Sequence, residues 1–255
     1  MPLILVTNDD GVQSQGLIIL SKALCSLGEI YVVAPEREQS AVAHALTLHR
    51  PLKVEKTGAK IYAINGTPTD CVILGVNKIL HKKPALIVSG INKGGNLGDD
   101  ITYSGTVAAA IEGTLLGIPS IAISLVGDIK DNGDYSVKPS CFKKAAGFAK
   151  RLAETVLKKG LPQDTLLNVN IPCVQKIKGV KLTKQGKRIY DNSVHEMSDP
   201  RGRKHYWIGG GSPLWEQGQD TDFDAVNKGF ISITPVHLDL TNYNAIKYLK
   251  KNWRM

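Results

Sequence analysis

The sequence predicts an α/β fold: a mostly parallel sheet with helices on both faces, followed by a β-rich C-terminal arm and a terminal helix. Three observations lead there. Short apolar runs alternate with stretches of helical period from the N-terminus to Pro172, the pattern of βαβ units and a parallel sheet. The first run, Leu3-Ile4-Leu5-Val6, is continuously apolar and too short for a helix, as a strand buried on both faces is. After Pro172 the helical period gives way to short strand-like runs joined by basic, Gly-rich connections such as residues 198–203 (SDPRGR). The chain therefore divides into a core over residues 1–175 and an arm over residues 176–255.

The elements follow in order. The first strand ends in Thr7-Asn8-Asp9-Asp10-Gly11. Residues 14–27 place Leu17, Leu20, Leu24 and Leu27 at helical spacing, and Gly28 is the stop. Residues 30–34 form the second strand, and Pro35 opens a polar loop over 36–40 (EREQS). Residues 46–54 (LTLHRPLKV) alternate and read as extended, interrupted by Pro51; residues 61–64 are a strand. Residues 65–70 (NGTPTD) turn into a helix reaching about Leu80, with Thr67 or Asn65 as the cap and Pro68 in the first turn. Residues 85–88 are a strand that runs into the most loop-like stretch, 89–100 (SGINKGGNLGDD). Residues 103–106 (YSGT) lead into a helix through about Leu116. A strand over 120–124, a long amphipathic helix over 138–159 closed by Gly160 and Pro162, and a strand over 166–171 complete the core. In the arm, residues 180–191, 204–208 and 229–234 read as strands and 242–253 as a helix.

Composition narrows the function class. Of 255 residues, 42% are hydrophobic and 22% charged, ordinary for a globular chain. No apolar stretch reaches membrane-spanning length and no signal-peptide core is present, so no membrane association and a cytoplasmic location are expected. Cys25, Cys71, Cys141 and Cys173 are scattered with no CxxC pair. That spacing argues against a zinc site and a disulfide framework, and predicts reduced thiols. The net charge of +9 suits either nucleic acid or small phosphorylated anions. The basic residues are dispersed rather than gathered in a block, which favours the anions.

Asp9 and Asp10 stand at the carboxyl end of a buried strand, where two adjacent carboxylates are costly to desolvate unless neutralised. A hard divalent cation would neutralise them, and this edge of an open α/β sheet is where ligands bind. The competing reading is Asp10 or Ser14 capping the next helix. Three strand-end loops, around Asn8, over 36–40 and over 89–100, supply oxygen donors and no Cys or His cluster, which suits Mg²⁺, Mn²⁺ or Ca²⁺ and suits zinc poorly. Ser104, Gly105 and Thr106 precede a helix N-terminus and read either as an anion site or as a cap alone. A divalent metal beside an anion pocket is the apparatus of phosphate-ester hydrolysis. A covalent phosphatase with Asp-x-Asp-Gly after its first strand is disfavoured: Asn8 would stand at the nucleophile position, and asparagine cannot form the acyl phosphate. There is no GxxxxGK[ST] loop, nor a GxGxxG after the first strand.

The motifs ILVTNDDG, VVAPEREQSA, GTPTDCV, SGINKGGNLGDDITYSGTVAAA and SITP, in that order, resemble the SurE survival proteins, which are 5′/3′-nucleotidases. The resemblance spans nearly the whole chain. It implies a Rossmann-like core, a divalent cation (Mg or Mn, one per subunit) held by Asp9, Asp10, Ser40 and Asn92, and a C-terminal arm exchanged between protomers of a homodimer or homotetramer.

Residue by residue, other readings stand beside these. Ser40 reads as a helix cap before Ala41, Asn92 as a turn residue, and Asp99 and Asp100 as a solvated turn or outer partners of the site. Asn96 is placed nearer the phosphate than the metal. Asn8 is either a backbone-orienting residue or a transition-state hydrogen-bond donor. His44 is either structural or the proton donor to a leaving alkoxide. The expected function is a metal-dependent phosphomonoesterase that hydrolyses nucleoside 5′- and 3′-monophosphates with a metal-activated water, short polyphosphate being a further candidate substrate. Asp9 and Asn8 are its candidate catalytic residues; Asn96, Ser104, Gly105 and Thr106 are its phosphate site. The alternative is a nucleotide- or RNA-binding stress protein with a vestigial site, contacting phosphates through Arg201, Arg203 and Lys204.

Overall fold

A computed structural model describes residues 1–129, 135–189, 194–208 and 214–253. In chain order the elements are β1 (Leu3–Thr7), α1 (Gln15–Leu24), β2 (Glu29–Pro35), β3 (Val54–Gly58), β4 (Ile61–Ile64), α2 (Pro68–Leu74), β5 (Leu86–Lys93), α3 (Gly105–Leu115), β6 (Ser120–Val126), β7 (Asp128–Ile129), β8 (Tyr135–Ser136), α4 (Pro139–Lys159), β9 (Thr165–Pro172), β10 (Val180–Leu182), β11 (Arg188–Ile189), β12 (Val194–Ser198), β13 (Lys204–Ile208), β14 (Leu214–Trp215), α5 (Asp222–Asn227), β15 (Ile231–His237) and α6 (Tyr243–Asn252).

Nine strands form one sheet in the order β10-β15-β9-β6-β5-β1-β2-β4-β3. All its neighbours pair in parallel except β15 with β9 and β3 with β4. The predicted mostly parallel sheet is therefore the observed one. Apolar strand residues split by face. Ile4, Val6, Val88 and Ile123 pack with Leu17 and Leu20 of α1 and Phe142, Ala145 and Ala149 of α4. Leu3, Leu5, Val33 and Ile87 pack with Cys71 and Val72 of α2 and Ala109 of α3. Every residue of β1 is buried, which explains its continuous apolarity. The chain leaves β1 for β2 on one side and returns to β5 on the other, so a topological switch point opens beside the carboxyl end of β1.

Several expectations are revised. The extended segment expected over 46–54 is irregular until β3 begins at Val54. Asp70 takes up part of it, accepting from Thr47 N at 3.0 Å and Thr47 Oγ1 at 2.6 Å. The same carboxylate closes a capping box with Thr67 at the start of α2. β5 continues to Lys93, past the predicted end at Val88. It can do so because a bulge lets Ser89 and Asn92 oppose Ala122 and Ser124 of β6. Gly90 makes the bulge possible: φ is +132°, and a Cβ there would lie 2.3 Å from the Ile123 carbonyl oxygen.

The thiol expectation is corrected for two of the four cysteines. Cys141 and Cys173 form a disulfide, while Cys25 is exposed and Cys71 buried as free thiols. The pair is 32 residues apart in sequence, and the packing of α4 on the sheet brings its first turn to the end of β9. Of the segment after residue 175, β10 and β15 lie in the central sheet. β12 and β13 pair only with each other, and every residue of β12 is exposed. α6 has no buried residue. No helix among the described residues is long and apolar enough to cross a membrane.

Candidate active site

At the switch point the carboxyl ends of β1 and β5, the loop after β2 and the start of α3 surround a cleft of about 720 Å³. Its lining includes Asp9, Asp10, Ser40, Asn92, Asn96 and Ser104. Six of the nine sequence-predicted site residues thus converge from segments up to 95 positions apart.

Asp9 is buried, and the start of α3 holds it. Its Oδ2 accepts from Thr106 N at 3.0 Å and its Oδ1 from Thr106 Oγ1 at 2.5 Å. The helix N-terminus, with its free N–H groups and partial positive charge, is thereby turned towards Asp9. Thr106 was expected at the phosphate; its amide and hydroxyl serve Asp9 instead, and it does not line the cleft. Gly105 is the point of closest approach: a Cβ there would stand 2.8 Å from Asp9 Cβ. Ser104 caps α3, its Oγ accepting from Val107 N at 3.1 Å, and also lines the cleft; cap and site occur together.

Burial raises the Asp9 carboxyl above its ordinary range, against the lowering effect of the Thr106 hydroxyl. Burial and next the neighbouring Asp9 push Asp10 up to about 7, opposed by the backbone N–H of Lys93. Two adjacent carboxyls in this state resist ionising together, and a cation between them removes the conflict.

Asn8 is buried but outside the cleft lining. Its Nδ2 donates to Gly11 O at 3.1 Å and to Ser14 Oγ at 2.7 Å. Both amide hydrogens are engaged within the turn, so the structure places Asn8 as an orienting residue and removes the donor role. Ser40 is exposed and donates to Glu38 Oε1 at 2.5 Å. No helix follows it; Ala41 has a positive φ of 55°, which disposes of the cap reading. Gln39 N donates to Asp9 O at 2.8 Å and so brings the Ser40 loop to β1. Asn92 Nδ2 donates to Gly94 O at 2.9 Å, which fixes the amide and leaves its Oδ1 as the atom able to coordinate a cation. His44 pairs with Glu112 of α3, Nε2 to Oε2 at 2.9 Å, and lies outside the cleft lining.

Asn96 is held by β9. Asn168 Nδ2 and Asn170 Nδ2 donate to its carbonyl at 2.9 and 2.8 Å, its own N–H donates to Asn170 Oδ1 at 2.8 Å, and its Nδ2 donates to Ser124 Oγ at 2.7 Å. Three buried polar residues on neighbouring strands thus fix one cleft residue. Among the described residues no group of three or more His, Cys, Asp or Glu side chains is placed to hold a metal ion together. Two carboxylates with a hydroxyl and an amide oxygen form a donor set that fits a hard divalent cation.

Sequence reasoning missed Arg188, Lys93 and Glu38, which also line the cleft. Arg188 comes from the segment after the core: its N–H donates to Asp99 Oδ2 at 3.0 Å and its guanidinium to Asp100 Oδ2 at 2.5 Å. Asp99 and Asp100 are therefore anchors of this segment rather than a solvated turn. Asp222 is their buried counterpart, accepting from Gly98 N at 2.8 Å and Gly186 N at 2.9 Å. Asp222→Ala would leave both donors buried without a partner, at about 1–3 kcal/mol each. It is expected to lower the unfolding midpoint and to raise KM by releasing Arg188 from the cleft; thermal unfolding and steady-state kinetics on one preparation check both. Two basic residues of the arm are engaged locally: Arg203 pairs with Asp199 and Lys204 with Glu196 on the β12–β13 hairpin.

Comparison with known proteins agrees with this architecture. A family model described as "Survival protein SurE" matches residues 4–192. The "5'-nucleotidase SurE" of Geotalea uraniireducens (strain Rf4) is 53% identical over 250 residues, covering 97% of this chain and 98% of that protein. The protein of the same name from Geobacter sulfurreducens is 53% identical over 249 residues, covering 97% of this chain and 92% of its own. The crystal structure of the SurE protein from Aquifex aeolicus superposes with a TM-score of 0.85 at 47% identity, covering 98% of this chain and 99% of that one. With the family model matched from β1 through β11, including the cleft and the start of α3, and half of all positions shared with full-length relatives, the chain belongs to the SurE family.

Proposed function

We propose that the chain is a divalent-metal-dependent phosphomonoesterase that hydrolyses nucleoside 5′- and 3′-monophosphates. The observation that carries the reading is the pair of adjacent, desolvated carboxylates Asp9 and Asp10 lining a cleft, in a chain whose relatives are named 5'-nucleotidases. Asp9, Asp10, Ser40 and Asn92 would hold the cation, with Mg²⁺ and Mn²⁺ the candidates. A cation there lowers the pKa of a coordinated water and shields the charge of the phosphoryl oxygens.

The rest is the work of the chain. Thr106 donates to both oxygens of Asp9, so Asp9 would present a constant orientation to a cation and to a water beside it. Asn96 and Ser104 offer hydrogen bonds to phosphoryl oxygens, and their own partners fix where those bonds can form. Lys93 and Arg188 bring positive charge to a cleft that Asp9, Asp10, Glu38 and Asp100 make acidic, which favours entry of an anion. We further propose a homo-oligomer, because the β12–β13 hairpin is solvent-exposed throughout its first strand, and an isolated hairpin is marginally stable in water.

The test is phosphate release from a panel of 5′- and 3′-nucleoside monophosphates with EDTA, then with Mg²⁺ or Mn²⁺ restored. Release that is lost in EDTA and recovered with metal is expected. Absence of release with every metal overturns the reading.

A further inference from the structure

The loop that carries Ser40 is held in a conformation its own backbone does not favour. Between Pro35 and Val54 the chain forms neither helix nor strand. Ala41 and Ala43 both have positive φ, 55° and 53°, the left-handed region that a residue with a Cβ seldom enters. Such a conformation persists only where the surroundings over-determine it. Two backbone ties do part of this. Gln39 N donates to Asp9 O at 2.8 Å, and Ala43 N to Tyr103 O at 3.1 Å. Ser40 and Ala41, between these ties, line the cleft.

The third tie is a side-chain pair outside the cleft. His44 Nε2 lies 2.9 Å from Oε2 of Glu112. Glu112 is only 8% exposed, and among the described residues His44 is the one side-chain partner of its carboxylate. A carboxylate this deep is costly to leave without a hydrogen bond, which favours the paired state of His44. Glu112 follows Gly105 by seven positions, about two helical turns. It therefore lies on the side of α3 that Gly105 turns towards Asp9. One rigid helix thus carries both the Thr106 that orients Asp9 and the Glu112 that grips the Ser40 loop. His44 follows Ser40 by four positions, so fixing His44 restricts where Ser40 can lie.

We propose that His44 is a positioning residue: its clasp on Glu112 holds the strained loop so that the Ser40 oxygen stays in the cleft as a ligand for the divalent cation. Ser40 gives its proton to Glu38 Oε1 at 2.5 Å, which leaves its lone pairs for a cation. Without the clasp, Ala41 and Ala43 relax out of the left-handed region and carry Ser40 away. Asp9, Asp10 and Asn92, held at the ends of β1 and β5, stay in place. The proposal rests on the metal-dependent reading above and adds a residue that sets cation affinity from outside the cleft.

Calorimetric titration with Mn²⁺ of wild type, His44→Ala, His44→Gln and the double variant His44→Ala/Glu112→Ala tests it, beside kcat at saturating Mn²⁺. Partners behind the ligands of a metal site are worth 10–100-fold in affinity, so His44→Ala is expected to raise the Kd for Mn²⁺ about tenfold. His44→Gln, whose amide nitrogen can take the place of Nε2, should keep the wild-type value. The double variant should match His44→Ala, because each residue acts through the other. Kd is read on the folded molecules alone, so a role confined to stability would lower the unfolding midpoint and leave Kd unmoved. An unchanged Kd in His44→Ala overturns the clasp; a fall in kcat with that unchanged Kd makes His44 the proton donor to the leaving alkoxide instead. A double variant much weaker than His44→Ala also overturns it, since Glu112 would then act on its own. No Mn²⁺ binding by wild type overturns the metal-dependent reading itself, and the clasp falls with it.

Discussion

Asp9→Asn and Asp10→Asn are each expected to reduce metal-restored phosphate release by more than about a hundredfold, since even partners behind the ligands of a metal site are worth 10–100-fold. The fold should persist in both. In Asp9→Asn the side chain keeps its shape, one oxygen still accepts from Thr106 N, and the Thr106 hydroxyl can turn to accept from the new amide. In Asp10→Asn the change removes one of two adjacent carboxyls whose burial and mutual repulsion already push Asp10 up to about 7. Neither metal-free variant should therefore unfold below the temperature of metal-free wild type. The contrast appears when the cation is added. A ligand that binds only the native state raises the unfolding temperature, so Mg²⁺ or Mn²⁺ should stabilise wild type and leave both variants where they were. Thermal unfolding with and without metal, beside phosphate release, measures binding and turnover separately. Normal turnover in either variant would remove the Asp9–Asp10 pair from the mechanism.

The paired carboxylates were legible in the sequence because the strand and the two acids are contiguous. A buried run that ends in two acids states its own conflict, and the alternation of elements places that end at the ligand-binding edge. Ser40, Asn92 and Ser104 were legible as residues after strands or before a helix, and as positions of the family motifs. What the sequence concealed is pairing across the fold. Thr106 looked like an anion donor because its nearest neighbours in sequence are a cap and a glycine; its partner Asp9 lies 97 positions away. Arg188 carried no signal, since Asp100, which anchors it, is 88 positions upstream. The disulfide was missed for the same reason: spacing reads local pairs, whereas Cys141 and Cys173 meet through helix-on-sheet packing. β5 was cut short because its Gly-rich continuation reads as a loop, and only a bulge against β6 keeps such a segment in the sheet.

Gly105→Ala carries the second large effect, and its sign runs against local propensity. At the first position of a helix, alanine for glycine ordinarily stabilises by about 0.4–1 kcal/mol. Here the added methyl would stand 2.8 Å from Asp9 Cβ, 3.0 Å from Asp9 Oδ2 and 3.1 Å from Pro68 Cγ. None of these can swing away: Pro68 is fixed in the first turn of α2, and Asp9 is held at both oxygens by Thr106. The methyl therefore has to displace either Asp9 or the start of α3, and moving α3 carries Thr106 and Ser104 with it. Overpacking of this kind costs about 1–3 kcal/mol, and a displacement near 1 Å at a reacting centre costs about a hundredfold in rate. The expected result is a lower unfolding midpoint together with a fall in kcat per folded molecule of about ten- to a hundredfold. Steady-state kinetics corrected for the folded fraction separates the two. A variant that loses stability yet keeps full kcat would show that Asp9 sits beside the chemistry without taking part in it, because the strain would then have reached the fold and spared the reaction.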